Sequence, residues 1–441
     1  MSSLHLIYHS YLSPRGLFGH HDNDGSSSST PKNHTCSLPN PLTETPTDIL
    51  AAGYTFHELG TIIAGAAAAF AFLSISLLMF RHATHLSKPN EQLKILRICM
   101  LIPVVAVVQF IGQVEPATYF YLTPWADAMQ AFAMGNFFLL MLEFISPHHN
   151  QRELFFSGLQ IPQKKNGKGP QDGVAWYKKK WFLIFQYAPV QVLVSIFTDI
   201  TQAANVYCEN SSKTYFAHLW LQLIHNVSLV LAVMSVLGFY KLLKTELYGH
   251  KPLSKLFAFK LMVGINFLMG IIFWILNDLN PSPLTPNSKM NQADMTVGIP
   301  ALVNCLIMVP FSIFFHYAYD VGPYMIDRNG HSRAEAGQGE APYLRYQGGF
   351  LGIRAFTGML NPSEFFGAIA FAFAAFRDRK QDVNARAGYD DSVSYDTGYG
   401  AHEMSRRDQR RMEKQARRDH GRRYEHRGQQ GYGGYDNRGY R

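Results

Sequence analysis

Hydrophobic and polar positions are segregated along this chain rather than interleaved. Seven stretches run apolar for about 20 residues or more: Leu59 to Phe80, Ile95 to Val114, Trp125 to Ile145, Trp181 to Tyr207, Phe216 to Leu243, Leu256 to Leu276 and Val297 to Tyr319. A helix of that length crosses a hydrocarbon layer of roughly 30 Å. A large soluble core would instead demand polar faces at helical period, and most of these stretches show none. The pattern predicts an all-α protein, a seven-transmembrane helix bundle.

Composition changes this picture little at first sight, since the mean hydropathy of −0.07 is that of an ordinary soluble chain. The average hides the segregation: charged residues are 16% of the chain and crowd into the termini and a few links. Their placement supplies an orientation. Links after spans one, three and five hold Lys88 and Lys94, Lys164, Lys165 and Lys178 to Lys180, and Lys244, Lys251 and Lys255, whereas the alternate links hold only Lys213 and Lys289. The positive-inside rule then puts the N-terminus outside and the C-terminus in the cytosol. Lys88, Lys94 and Arg97 read as the snorkelling foot of span two, and Pro103 is tolerated if neighbours satisfy the carbonyl it frees.

Glycosylation sequons at Asn33 and Asn210 fall on the outer side of this arrangement, while a third, at Asn226, lies inside span five. Cys36 and Cys208 also fall outside, where a disulfide is permitted. Cys99 and Cys305 read as packing residues within spans. No spacing suggests a metal site, a nucleophile with its base, or a phosphate-cradling loop, so no enzyme and no cofactor is expected.

Residues 1–56 lack a basic segment followed by an apolar run, and read as a flexible outer tail; 57–324 form the membrane domain and 325–348 a polar linker. In 349–376, Phe365, Phe366, Ile369, Phe373 and Phe376 recur at three- and four-residue spacing, capped by Asn361 or Ser363. The apolar run Phe365 to Phe376, too short to span, predicts a helix in the interface or one capping the bundle. From Arg377 onward, sixteen Lys and Arg face eleven Asp and Glu. Such a disordered basic tail suits anionic lipid headgroups better than nucleic acid, which is not an expected partner.

Several short motifs, in order, resemble the organic solute transporter alpha-subunit family: His85-Leu86, Pro89, Gln92, Arg97-Ile98 and Pro103; Gln186-Tyr187, Pro189 and Tyr207-Cys208; Asn226-Val227-Ser228-Leu229, Phe239-Tyr240, Lys251-Pro252-Leu253 and Phe259-Lys260; and Leu360-Asn361-Pro362. The resemblance covers roughly residues 57–376. It implies seven spans, facilitated transport of amphipathic organic solutes such as sterol-derived or lipid-like molecules, and in some members a small single-span partner. A homo-oligomer is equally compatible with the small-residue run Gly65 to Ala69. The chain departs from the family pattern where Met129-Gln130-Ala131-Phe132 replaces a run containing glutamate, and at Met269 and Ile307.

Polar groups at bilayer depth are expensive, which makes them candidates for function. Gln130, Asn136, Asp199, His225, Asn226, Asn266 and Asn304, with Gln109 and Gln113, lie in the middle or outer half of their spans. The expectation is a water-accessible cavity in which Asp199 is ionised or hydrogen-bonded to His225. The bland reading is that the amides join helices. Arg97, Lys255 and Lys260 read as lipid-phosphate anchors, with Glu143 near enough to pair with one of them. A seven-span receptor or trafficking scaffold is the alternative function; the inner end of span three, Leu142-Glu143-Phe144-Ile145, lacks the acidic-arginine-aromatic triplet of G-protein-coupled receptors.

Overall fold

The computed structural model describes residues 48–51, 53–146, 149–159, 161, 172–208, 213–247, 254–255, 272, 276, 288–291, 293–326 and 345–377. Among them there is no strand, and the elements are α1 (Phe56–Thr84), α2 (Pro89–Cys99), α3 (Leu101–Val114), α4 (Pro116–Ile145), α5 (His149–Ser157), α6 (Gly173–Phe185), α7 (Tyr187–Ala203), α8 (Ala217–Leu242), α9 (Lys244–Leu247), α10 (Ile299–Ala318) and α11 (Ile353–Leu360). A further helix covers 363–377. Seven helical stretches are long and apolar enough to cross a membrane. Six coincide with predicted spans; the predicted span Leu256 to Leu276 lies almost wholly outside the described residues, as do Asn33, Cys36, Asn210, Asn266 and the basic tail.

The seventh stretch, Phe350–Arg377, is 28 residues long with a mean hydropathy of 1.3 and joins α11 to the helix over 363–377, which contains the apolar run Phe365 to Phe376. The two helices are separated at Leu360-Asn361-Pro362. Proline cannot continue the preceding helix, and Asn361 Oδ1 accepts from the Ser363 amide to start the next one. The chain divides into two compact units at Phe366, the second being Gly367–Arg441.

Proline also explains two breaks inside spans. Pro103 removes the amide that would bond to the Cys99 carbonyl, and α2 ends at Cys99; Pro189 does the same to Phe185, and α6 ends there. At the second break the side-chain amide of Gln186 joins the broken span to α8. Its Nε2 donates to the Leu183 and Ser228 carbonyls at 3.2 and 3.1 Å, and the Ser228 hydroxyl donates to its Oε1 at 2.8 Å. Ser228, the third residue of the sequon inside span five, is thus consumed by helix joining.

Within the first unit α1 packs against α10 and α3, and α4 against α2, α3 and α7. An aromatic core of Phe138, Phe156, Trp176, Trp181, Phe185 and Phe239 holds α4, α5, α6 and α8 together, its rings 4.9 to 6.5 Å apart at the contacts among them. Edge-to-face pairs of this kind add about 0.5–1.5 kcal/mol each beyond area burial. Gln92 locks the α1–α2 turn: its Oε1 accepts from the Ser87 and Lys88 amides and its Nε2 donates to the His85 carbonyl at 3.0 Å. Buried His82 donates Nε2–H to the Tyr319 carbonyl at 2.9 Å, tying the same turn to the end of α10.

The segment before α11 is laid along that turn. Gln347 donates to the Leu86 carbonyl, and Gly352 sits at φ +77° where a Cβ would strike Ala83. Only glycine suits both the left-handed backbone and the close approach.

Candidate functional site

α4 is nine residues longer at its start than the predicted span, because Pro124 sits inside the helix instead of ending it. That extension carries Asp127 well into the helix, on the same face as Gln130 one turn on. The Pro124 carbonyl is held by α7: Ser195 Oγ donates to it at 2.7 Å and Gln191 Nε2 at 3.5 Å.

This small network has a chemical consequence. With Gln191 Nε2 committed as donor, its Oε1 faces His225 Nδ1 of α8 at 2.6 Å, so Nδ1 carries the proton.

Asp127, Gln191 and His225 line a cavity of about 210 Å³ between α4, α7 and α8. Thr123, Thr198 and Gln222 add further polar groups, and Tyr119 and Tyr207 add aromatic walls. Asp127 is half-buried and interacts electrostatically with His225. No lysine or arginine lines the cavity among the described residues. Its rim is built from the start of α8, where the Ala217 and His218 amides, which have no intrahelical partner, donate to the Val206 and Tyr207 carbonyls at 3.1 Å. His218 stacks edge-on against Tyr207 at 5.2 Å. Next in the chain, Cys208 is disulfide-bonded.

The residues predicted from sequence are dispersed differently than expected. His225 lines the cavity. Gln130 is buried against Tyr187, and Asn226 is half-exposed outside the lining. The expected Asp199–His225 bond is not formed: Asp199 accepts from Trp125 Nε1 at 2.8 Å, and its other oxygen has no protein partner among the described residues. Asn136 lies in a different cluster, accepting from Arg97 at 3.4 Å, and Asn304 lies on α10 against α1 and α3. Periodicity alone cannot say which faces of separate helices meet. The residue that sequence reading passed over is Asp127, two positions into a span that was begun at Trp125. Pro124 preceded by Tyr119, Phe120, Tyr121 and Leu122 was the available signal.

A second polar cluster lies where α1 and α10 begin. His57 Nδ1 is 3.5 Å from Asp294 Oδ1, and fully buried Gln113 approaches the π-helical turn Asp294–Gly298, whose Gly298 leaves room between Gln113 and Asp294. A larger, apolar cavity of about 670 Å³ is bounded by α1, α3 and α11, with Phe72, Met79, Pro103 and Phe356 among its walls. Hydrocarbon walls select by shape and area, and read no headgroup.

At the opposite end of the bundle, Arg97 and Lys94 are 4% and 2% exposed, which overturns their reading as lipid anchors. Lys94 pairs with Glu364 at 2.6 Å and Glu143 at 3.3 Å; Arg152 also pairs with Glu143, at 2.7 Å. Arg97 donates to Glu364 at 3.0 Å and to the carbonyls of Gly358, Met359 and Asn361, closing the C-terminus of α11. Phe365 enters the slot left by Gly135, its ring 4.6 Å from Phe132, while adjacent Phe366 is exposed.

No solved structure matches this chain. Among curated relatives, a transmembrane protein 184 homolog of Dictyostelium discoideum is 24% identical over 299 residues, covering 63% of this chain and 53% of its own length. Protein LAZ1 of Arabidopsis thaliana is 24% identical over 303 residues, 63% and 60% of the two chains. Vacuole membrane protein hfl11 of Schizosaccharomyces pombe is 24% identical over 266 residues, 57% and 61%. The chain thus spans little more than half the length of these relatives. The family model for the organic solute transporter Ostalpha matches residues 60–324, from the first turns of α1 to the end of the membrane bundle that encloses the cavity. The chain is an integral multi-pass membrane protein belonging to the Ostalpha organic solute transporter family.

Proposed function

We propose that this protein is a facilitative transporter of amphipathic organic solutes, sterol-derived or lipid-like, and that it resides in a vacuolar or other endomembrane with its N-terminus facing away from the cytosol. The observation that carries the reading is the polar cavity between α4, α7 and α8, about 210 Å³ in volume, inside helices that otherwise present hydrocarbon to the membrane. Buried polar side chains in a bilayer protein cost several kcal/mol unless they serve each other or a solute. Membership of a solute transporter family supports the same function, and the name of the fission yeast relative supports the vacuolar membrane. The bias of lysine and arginine among the links supports the orientation.

Purified full-length chain in lipid vesicles, supplied with a panel of labelled sterol conjugates and lipids, tests the proposal. Saturable uptake of at least one compound, accelerated by the same compound preloaded on the far side, is the expected outcome. Uptake equal to that of protein-free vesicles for every compound refutes it. Removal of residues 377–441 leaves transport intact, whereas a trafficking scaffold that recruits through its tail loses its activity.

A further inference from the structure

We propose that the cavity between α4, α7 and α8 binds the positively charged, ammonium-type headgroup of an organic solute, with Asp127 as its counter-ion. The inference rests on the transport reading and narrows it to a class of ligand.

Charge and hydrogen-bonding capacity in the cavity point one way. Asp127 contributes a carboxylate, and no lysine or arginine shares the lining among the described residues. Gln191 Oε1 holds the His225 ring through Nδ1 at 2.6 Å, which fixes the ring beside the cavity. A carboxylate and threonine hydroxyls give the site acceptors for a headgroup that carries N–H or positive charge. Among the described residues of the lining, an anionic headgroup would meet the Asp127 charge with no lysine or arginine to offset it. An ammonium group supplies the missing charge, and Coulombic attraction is stronger in a half-buried site than in water.

The walls agree. Tyr119, Phe120 and Tyr207 border the space, and aromatic faces attract ammonium ions most when the ion is desolvated. The volume of about 210 Å³ corresponds to about seven waters at ~30 Å³ each, room for a substituted ammonium group but not for a whole sterol. The apolar remainder of such a solute would extend beyond the cavity toward surrounding hydrocarbon.

Three amphiphiles with the same octyl chain that differ only in the headgroup test this: octyltrimethylammonium, octyl sulfonate and octanol. Binding to the full-length chain in maltoside micelles is measured by titration calorimetry, below the micelle-forming concentration of each probe. The ammonium compound is expected to bind saturably and the other two not. Asp127→Asn is expected to weaken that binding at least about tenfold, while Asp199→Asn, whose carboxylate pairs with Trp125, leaves it unchanged. A second variant guards against misfolding of the first. Gln222 is exposed at the rim, so Gln222→Lys keeps the fold and places a competing amine at the cavity, again weakening binding.

Saturable sulfonate binding, no saturable ammonium binding, or an ammonium affinity indifferent to both variants overturns the proposal. Vesicle uptake separates it from the transport reading. Saturable uptake of the sulfonate alone leaves transport standing and removes the ammonium site; ammonium binding sensitive to Asp127 without uptake of any compound does the reverse.

Discussion

At one end of the bundle, Lys94, Arg97, Glu143, Arg152 and Glu364 bring five charged groups together, and every one has protein partners. Between α4, α7 and α8, Asp127 faces open space, with His225 as its titratable neighbour. Both regions set charge within a largely apolar bundle, where an uncompensated ion is costly. The first meets the cost internally. Three cations against two carboxylates leave one positive charge over, and it is directed at the terminal carbonyls of α11, which lack helical partners. The second leaves its compensation to whatever enters. A satisfied cluster holds the C-terminal segment to the bundle; an unsatisfied one is ready to take a ligand.

That contrast can be broken most severely at Arg97. Arg97→Met removes the hydrogen bonds to Glu364 and to three carbonyls, leaving Glu364 with Lys94 alone and the end of α11 unpaired. Hydrogen bonds to charged groups are worth about 1.5–3 kcal/mol each, and the variant loses several at once. The expected result is a marked fall in the melting temperature of the detergent-solubilised chain, with new protease cleavage between residues 345 and 366. A melting temperature within a degree or two of the parent would show the cluster to be dispensable.

Glu143→Gln is the next largest. It leaves Arg152 without its carboxylate but spares the 2.6 Å Lys94–Glu364 pair. A loss of about 1.5–3 kcal/mol is expected, the worth of hydrogen bonds to charged groups. Chemical unfolding in mixed micelles measures it.

Asp127→Asn sharpens the comparison from the other side. Since the carboxylate faces a cavity rather than a cation, its neutralisation is expected to change the unfolding free energy by no more than about 0.5 kcal/mol, the range of substitutions away from paired networks. Solute binding is lost all the same. A destabilisation as large as that of Arg97→Met would place Asp127 in the internally paired class and remove the distinction. Smallest of all is Asp199→Asn, which keeps an acceptor for Trp125 Nε1. Both uptake and melting temperature are expected to stay at parental values, and a change in uptake across about pH 5 to 8 would return Asp199 to the solute path.

Much of the molecule is already determined by local sequence. Apolar runs of membrane-crossing length are properties of contiguous residues, and so are the interruptions three residues before Pro103 and Pro189 and the restart at Asn361. These follow from helix rise, hydropathy and the missing amide of proline. Family membership is legible for the same reason, being carried by short motifs in order. What tertiary structure alone decided is which faces meet. Arg97 and Glu364 lie 267 positions apart, and Asp127, Gln191 and His225 come from three helices. Helical periodicity assigns a residue to a face of its own helix but leaves the rotation of that helix against its neighbours open. That rotation is settled by the packing of side chains such as Phe138, Trp181 and Phe239, and it turned Asp199 toward Trp125 and Asp127 toward His225.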